Sequence, residues 1–352
     1  MANTDSLSLR AHLSGGHVIP AMPLALDESG KWSRRYQRAL VRYYLEAGSG
    51  GLAVGVHSTQ FEIRDPEHNL FEPVLSFCSE EIDRARSPGQ GFIKIAGVCG
   101  NTEQALAEAR FSRAAGYDAA LLSTSALRDD SDAVILDHCA RIAEEIPVIG
   151  FYLQPTIGGR SYSFDFWRRF LDIENVIAIK VAPFDRYATL EVVRALAESG
   201  RRDVTLYTGN DDNIIHDLLS SFPFPSANAE QEPIRFAGGL LGQWAIGTEK
   251  AVRLLRRIQT ESLTVEESTR LNTTLTDFNS AIFDPAHAFS GCLSGMNEML
   301  RRDGLLPSRR CLEESEALSP GQSEELDRVR EAYPEWQDTT FIRAHLSRWL
   351  TE

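Results

Sequence analysis

The feature that most constrains this chain is an alternation. Short apolar runs rich in Val, Ile and Leu recur as HVIPAM from His17, GLAVGV from Gly51, FIKIAGV from Phe92, DAALLS from Asp118, PVIGFYL from Pro147, VIAIKV from Val176, DVTLYTG from Asp203 and IRFAGGLL from Ile234. Segments of helical period, from YQRALVRYYLEAG to IIHDLLSSF, separate them, and an eighth helix is expected from about Gln243. Continuous apolar runs mark strands covered on both faces, which is how a parallel sheet reads. Eight β/α units over roughly 250 residues predict a (β/α)8 TIM barrel. A doubly wound sheet is the main alternative, but no GxGxxG follows the first run. FPFPSANAEQEP (222–233), with three prolines and no period, reads as a long loop before the eighth strand.

Beyond the barrel only helical signals remain, at 265–283, 285–303, 320–333 and 336–350. The expected organisation is therefore a barrel over 1–262 and a C-terminal helical extension over 263–352. A formal charge of −14, with no basic stripe, argues against nucleic acid as a partner. The N-terminus lacks a long apolar signal region and nowhere do ~18 apolar residues run together, so a cytoplasmic protein without a membrane span is expected. Five widely spaced cysteines without CxxC point to reduced thiols rather than a disulfide framework or zinc knuckle.

In a TIM barrel the chemistry sits where the strands exit. The exits here are Gly55-Val56-His57-Ser58-Thr59, Tyr152-Leu153-Gln154-Pro155, Lys180, Thr208-Gly209-Asn210-Asp211 and Gly238-Gly239-Leu240-Leu241-Gly242. Lys180 stands out inside VIAIKVA, because burying an ammonium without a partner costs several kcal/mol. A desolvated lysine amine is nucleophilic toward a carbonyl, and the imine that forms is an electron sink for C–C chemistry. Tyr152 on the preceding strand would project toward the same mouth and could shuttle protons. The plainer reading has Lys180 snorkelling or paired with a carboxylate such as Asp211, and Tyr152 merely packing. No metal is expected: of eight histidines only His57 lies at a strand exit, and His17 enters its strand at the opposite end. The glycines of GGLLG and GGR (158–160) suit either a phosphate cradle or close packing.

Taken in order, these segments resemble the N-acetylneuraminate lyase / dihydrodipicolinate synthase family of Schiff-base-forming barrels, from about His17 to Leu241. GLAVGVHSTQFEIRDPEH stands where the family has its Gly-Thr-Thr-Gly-Glu loop, FYLQP where it has Tyr-Asn-x-Pro, VIAIKVAPFD where it has the lysine strand, and LYTGNDD where it has Ser-Gly-Asp-Asp. The resemblance implies Lys180 as nucleophile, Tyr152 as proton shuttle, no cofactor, and a homo-oligomer, dimer or tetramer. Val56, His57, Ser58, Gly209 and Leu241 are the expected substrate-binding positions.

The departures are equally informative. The two threonines of the family loop fall on Val56 and His57, so the hydroxyl relay is broken at Val56. The entrance arginine falls on Ile157, with Arg160 three positions late, and STSALRDD holds no counterpart of the synthases' second tyrosine. His57 is read either as a substrate or acid/base group or as a residue holding its loop. The expected function is a lyase or aldolase acting on a 2-oxo acid or related carbonyl substrate, and not dihydrodipicolinate synthesis itself. The alternatives are an imine-using sugar-acid dehydratase and a catalytically silent barrel that binds a carbonyl ligand.

Overall fold

The structure is a computed structural model and describes residues 2–87, 89–224 and 233–351. Each apolar run becomes a strand: β1 (Val18–Pro20), β2 (Gly51–Val54), β3 (Ile93–Val98), β4 (Ala119–Leu122), β5 (Val148–Leu153), β6 (Val176–Ala182), β7 (Thr205–Thr208) and β8 (Phe236–Leu241). All eight belong to one sheet in the order β1-β8-β7-β6-β5-β4-β3-β2, the order of a (β/α)8 barrel. Three strand residues keep appreciable exposure: Thr205, Ala237 and Lys180. The first two open or nearly open their strands, whereas Lys180 lies near the exit of β6.

Helices follow the strands because the sequence supplies their start signals. Asn101, Ser131, Ser163 and Asp185 each accept a hydrogen bond from a backbone N–H in the first turn of the helices Thr102–Ala114, Asp132–Glu145, Phe164–Phe170 and Arg186–Ser199. The chain divides into two compact units, Met1–His17 with Ile93–Leu240, and Val18–Phe92 with Leu241–Glu352.

The first unit holds β3 to β7, all but the last residue of β8, and an N-terminal helix, Ala2–Ser14, that no periodic pattern announces. The helix is tied down by tertiary bonds. Arg10 donates to the carbonyls of Val176 (3.0 Å) and Glu174 (2.8 Å) and pairs with Asp203, while Tyr207 donates to the Leu13 carbonyl (2.8 Å). Between β5 and β6 the register slips. Val148 lies opposite Val176 but Ile149 opposite Ala178, so that Phe151 meets Lys180 and Tyr152 meets Val181.

In the second unit Ala21, just past β1, bridges in parallel to Ala53 of β2, and the C-terminal helices Val265–Phe283, Cys292–Arg302, Gln322–Ala332 and Thr339–Trp349 share this unit with them. The expected helix over 285–303 starts late. Asp284, Ala288 and Phe289 have φ of 56°, 53° and 68°, left-handed values that interrupt it before Cys292. Helix Thr248–Thr260 has Gly247 at its N-cap and so no capping side chain of its own. Asp338 supplies one, accepting from the N–H groups of Glu249 (2.6 Å) and Lys250 (3.1 Å) and from the Tyr43 hydroxyl (2.7 Å). Burial still pushes this carboxyl up to about 6, against those hydrogen bonds.

The proline-rich loop expected at 222–233 falls largely on residues 225–232, outside the described residues. Its flanks meet in an antiparallel bridge, Phe222 with Ile234. Among the described residues no helix is long and apolar enough to cross a membrane, and no cluster of three His, Cys, Asp or Glu side chains converges.

Candidate active site

Parallel pairing turns partnered residues to the same face. Phe151, Lys180, Tyr207 and Gly238 are partners across β5 to β8 and form one row. Phe151 and Tyr207 are 8% and 2% exposed, while Lys180 is the partly open member. Its Nζ lies 4.4 Å from the centroid of the Phe151 ring, within cation–π range.

Gly209, just past β7, explains how the lysine stem fits. A Cβ built there would sit 2.7 Å from Lys180 Cε and 2.7 Å from Ala182 Cβ, so only glycine leaves room for the extended side chain. The turn carrying Gly209 is fastened from behind by Asp217, which is fully buried. Its carboxylate accepts from the Thr208 hydroxyl (2.6 Å), Asn210 Nδ2 (2.9 Å), Asn213 Nδ2 (3.1 Å) and the Arg186 guanidinium (2.5 Å). Asn210 in turn accepts from the Phe184 N–H (3.1 Å), linking this turn to the one after β6.

Tyr152 is placed differently from Lys180. Strand alternation turns it away from Phe151, and its ring packs at 5.2 Å on Trp167 and 5.7 Å on Tyr162. Its hydroxyl accepts from the Tyr162 N–H (3.2 Å), and burial raises its pKa. Tyr162 itself has a hydroxyl 2.5 Å from Thr124 Oγ1, and burial pushes it up to about 12. No signal in the sequence pointed to Tyr162, which lies in an aperiodic loop.

Arg160 is committed to the loop after β4. It bonds the Asp130 carbonyl (2.7 Å) and Asp132 (2.8 Å), with its guanidinium 5.0 Å above the Tyr162 ring. The glycines beside it serve the turn: Gly158 has φ +96°, and a Cβ on Gly159 would lie 1.9 Å from the Leu153 carbonyl oxygen. In β8, a Cβ on Gly238 would lie 2.3 Å from the His17 carbonyl oxygen. At both places the missing side chain lets backbone approach backbone.

Val56, His57, Ser58 and Leu241 belong to the other unit. Val56 is extended and buried, and His57 opens a short helical turn with its ring 5.9 Å from Phe61. The Ser58 and Thr59 hydroxyls both donate to the Met22 carbonyl, at 3.1 and 2.7 Å, and Thr59 also accepts from the Gly55 N–H (2.9 Å). Leu241 is fully buried and its carbonyl accepts from the Ala21 N–H (3.2 Å).

A (β/α)8 barrel with a half-open lysine near the exit of its sixth strand, and a glycine on the seventh strand's turn shaped around it, defines the class of protein. The model of the Dihydrodipicolinate synthetase family matches residues 14–221, more than half of the chain, and the chain belongs to this family. It is 27% identical over 199 residues to the 4-hydroxy-tetrahydrodipicolinate synthase of Parasynechococcus marenigrum, covering 56% of this chain and 62% of that one. The chain thus spans about six-tenths of the length of that curated relative. Among solved structures, N-acetylneuraminate lyase of Fusobacterium nucleatum superposes with a TM-score of 0.70 at 16% identity, over 91% of this chain and 99% of that one. The chloride-inhibited dihydrodipicolinate synthase of Acinetobacter baumannii, complexed with pyruvate, gives 0.70 at 17% identity, over 91% and 98%.

Proposed function

We propose that the protein is a Schiff-base-forming lyase or aldolase that acts on a 2-oxo acid of the pyruvate type, with Lys180 as nucleophile. The observation that carries this reading is the placement of Lys180: a lysine on an otherwise closed strand, with its stem fitted against Gly209 and part of its surface exposed. Its amine adds to the keto carbon, and the carbinolamine loses water to give an imine. As the β-hydroxyl gives up its proton, the Cα–Cβ bond breaks, an aldehyde leaves and the electron pair stays on an enamine, which takes up a proton at Cα and is hydrolysed to free Lys180. Tyr152 is the proton carrier in this scheme. Its raised pKa keeps the phenol protonated near neutral pH, and its hydroxyl accepts from the Tyr162 N–H; the role is assigned to it from the family resemblance, since strand alternation sets it on the face opposite Lys180.

Val56, His57, Ser58 and Leu241 are proposed as substrate-binding positions on the family resemblance alone. The hydroxyl-free Val56 and the Met22-bound hydroxyls of Ser58 and Thr59 support a reaction other than dihydrodipicolinate synthesis. We further propose a homo-oligomer, by analogy with the family. Incubating the protein with a panel of 2-oxo acids and aldehydes and identifying the products tests the reaction. Cleaved or condensed carbon skeletons that require Lys180 support the aldolase. Dehydrated sugar acids with an intact skeleton would move the protein to the hydro-lyase reading, and inertness toward the whole panel would leave a non-covalent binder.

A further inference from the structure

The chain is acidic, with 36 Lys and Arg against 50 Asp and Glu, yet MLRRDGLLPSRRC (299–311) carries two Arg-Arg pairs on either side of a turn. Helix Cys292–Arg302 ends there in a glycine stop: Gly304 has φ +84°, its N–H bonds the Arg301 carbonyl (3.0 Å), and the Leu305 N–H bonds the Leu300 carbonyl (2.9 Å). The returning strand of chain is pinned by Ser308, whose hydroxyl donates to the Leu26 carbonyl (2.7 Å) and accepts from the Arg310 N–H (3.2 Å). The two arginine pairs are thereby drawn together. Arg301, Arg309 and Arg310 line an open cavity of about 440 Å³, with Ser308 and Glu28 as its other walls.

The charges around this cavity do not cancel. Glu298, buried beside it, accepts two hydrogen bonds from Arg301 (2.8 and 2.9 Å) and one from Arg302 (2.9 Å), and lies 3.9 Å from Arg309. Burial alone would raise this carboxyl, but the arginine hydrogen bonds outweigh it and hold the group down at about 2. Glu298 therefore stays ionised and orients the guanidinium of Arg301 while neutralising one charge. Arg310 forms no ion pair among the described residues, and Glu28 is the lone carboxylate in the lining. Guanidinium groups present forked N–H donors that match phosphate and carboxylate oxygens, and a few hundred cubic ångströms is the volume of a small-molecule site.

We propose that this cavity binds a small polyanion carrying two or more phosphate or carboxylate groups, at a site distinct from the Lys180 row. Calorimetric titration of the full chain with pyrophosphate, and separately with citrate, against sodium chloride at matched ionic strength, tests it. Saturable one-site binding of at least one polyanion is expected. The double variant Arg309→Gln/Arg310→Gln should weaken binding tenfold or more with an unchanged circular dichroism spectrum, and Glu28→Gln should tighten it. Binding confined to pyrophosphate identifies a phosphate ligand, and binding confined to citrate a carboxylate one. Absence of saturable binding by both, or an affinity unchanged in the double variant, overturns the proposal.

Discussion

Lys180 and Asp338 both carry an ionisable group into packed surroundings, one in each unit, and the protein treats them in opposite ways. Asp338 is 1% exposed and spends its oxygens on fixed donors, the Tyr43 hydroxyl and two backbone N–H groups at the start of Thr248–Thr260. Lys180 has its stem fitted at Gly209 and its Nζ over the ring of Phe151, and it keeps part of its surface exposed. A charge enclosed by fixed donors works as a strut. A lysine that keeps partial exposure in such surroundings is the one we propose to meet a ligand.

The contrast breaks most sharply on substitution. Lys180→Met should lower turnover by ~10³-fold or more while the melting temperature stays level or rises, because an apolar isostere replaces a costly charge. Steady-state kinetics and a thermal melt read both arms, and a variant that unfolds with activity lost in proportion would make Lys180 a strut too. Asp338→Ala should do the reverse. It leaves two helix N–H groups unpaired, while the Tyr43 hydroxyl keeps the Ile246 carbonyl, a loss of about 2–3 kcal/mol in denaturant unfolding.

The pH dependence of stability sharpens the comparison within the second unit. Glu298 is depressed from 4.5 to about 2, so the folded state binds fewer protons than the unfolded one. Its contribution, about 3 kcal/mol, is present above pH 4.5 and is lost as pH falls toward 2. Asp338 is raised from 3.8 to about 6, so the folded state holds the extra proton, and stability falls as pH rises from 4 to 6. Denaturation curves between pH 2 and 7 should lose their acid limb in Glu298→Gln and flatten between pH 4 and 6 in Asp338→Asn. The smallest effect is expected at Gly209→Ala. A Cβ 2.7 Å from Lys180 Cε forces the lysine to shift, costing about 1–3 kcal/mol and roughly tenfold in kcat. Kinetics indistinguishable from wild type would mean that the lysine stem is not held where the geometry puts it.

The strands were legible because continuous apolar runs depend only on being covered on both faces, and all eight runs became strands. The register was not. Without a slip, Val148 opposite Val176 would set Tyr152 opposite Lys180, on the one face expected of two side chains projecting toward the same mouth; the irregularity after Val148 advances β6 by one residue and brings Phe151 there instead. No local pattern announces such a bulge. Tyr162 was hidden for a similar reason, since its partner Thr124 is remote in sequence. The helix Ala2–Ser14 is held by Arg10 and Leu13 bonding to distant backbone and side chains, which leaves no periodic stripe to read. Lys180 was visible because a lone charge in an apolar run is an energetic anomaly wherever the register falls.

The measurement that tests the central claim most directly is reductive trapping. The protein is incubated with pyruvate and borohydride, digested, and its peptides weighed by mass spectrometry. The account predicts one adduct per chain, on the peptide that contains Lys180, absent in Lys180→Ala and still formed, more slowly, in Tyr152→Phe. A folded protein whose Lys180 peptide stays unlabelled by pyruvate and by every other 2-oxo acid or aldehyde tried would contradict it.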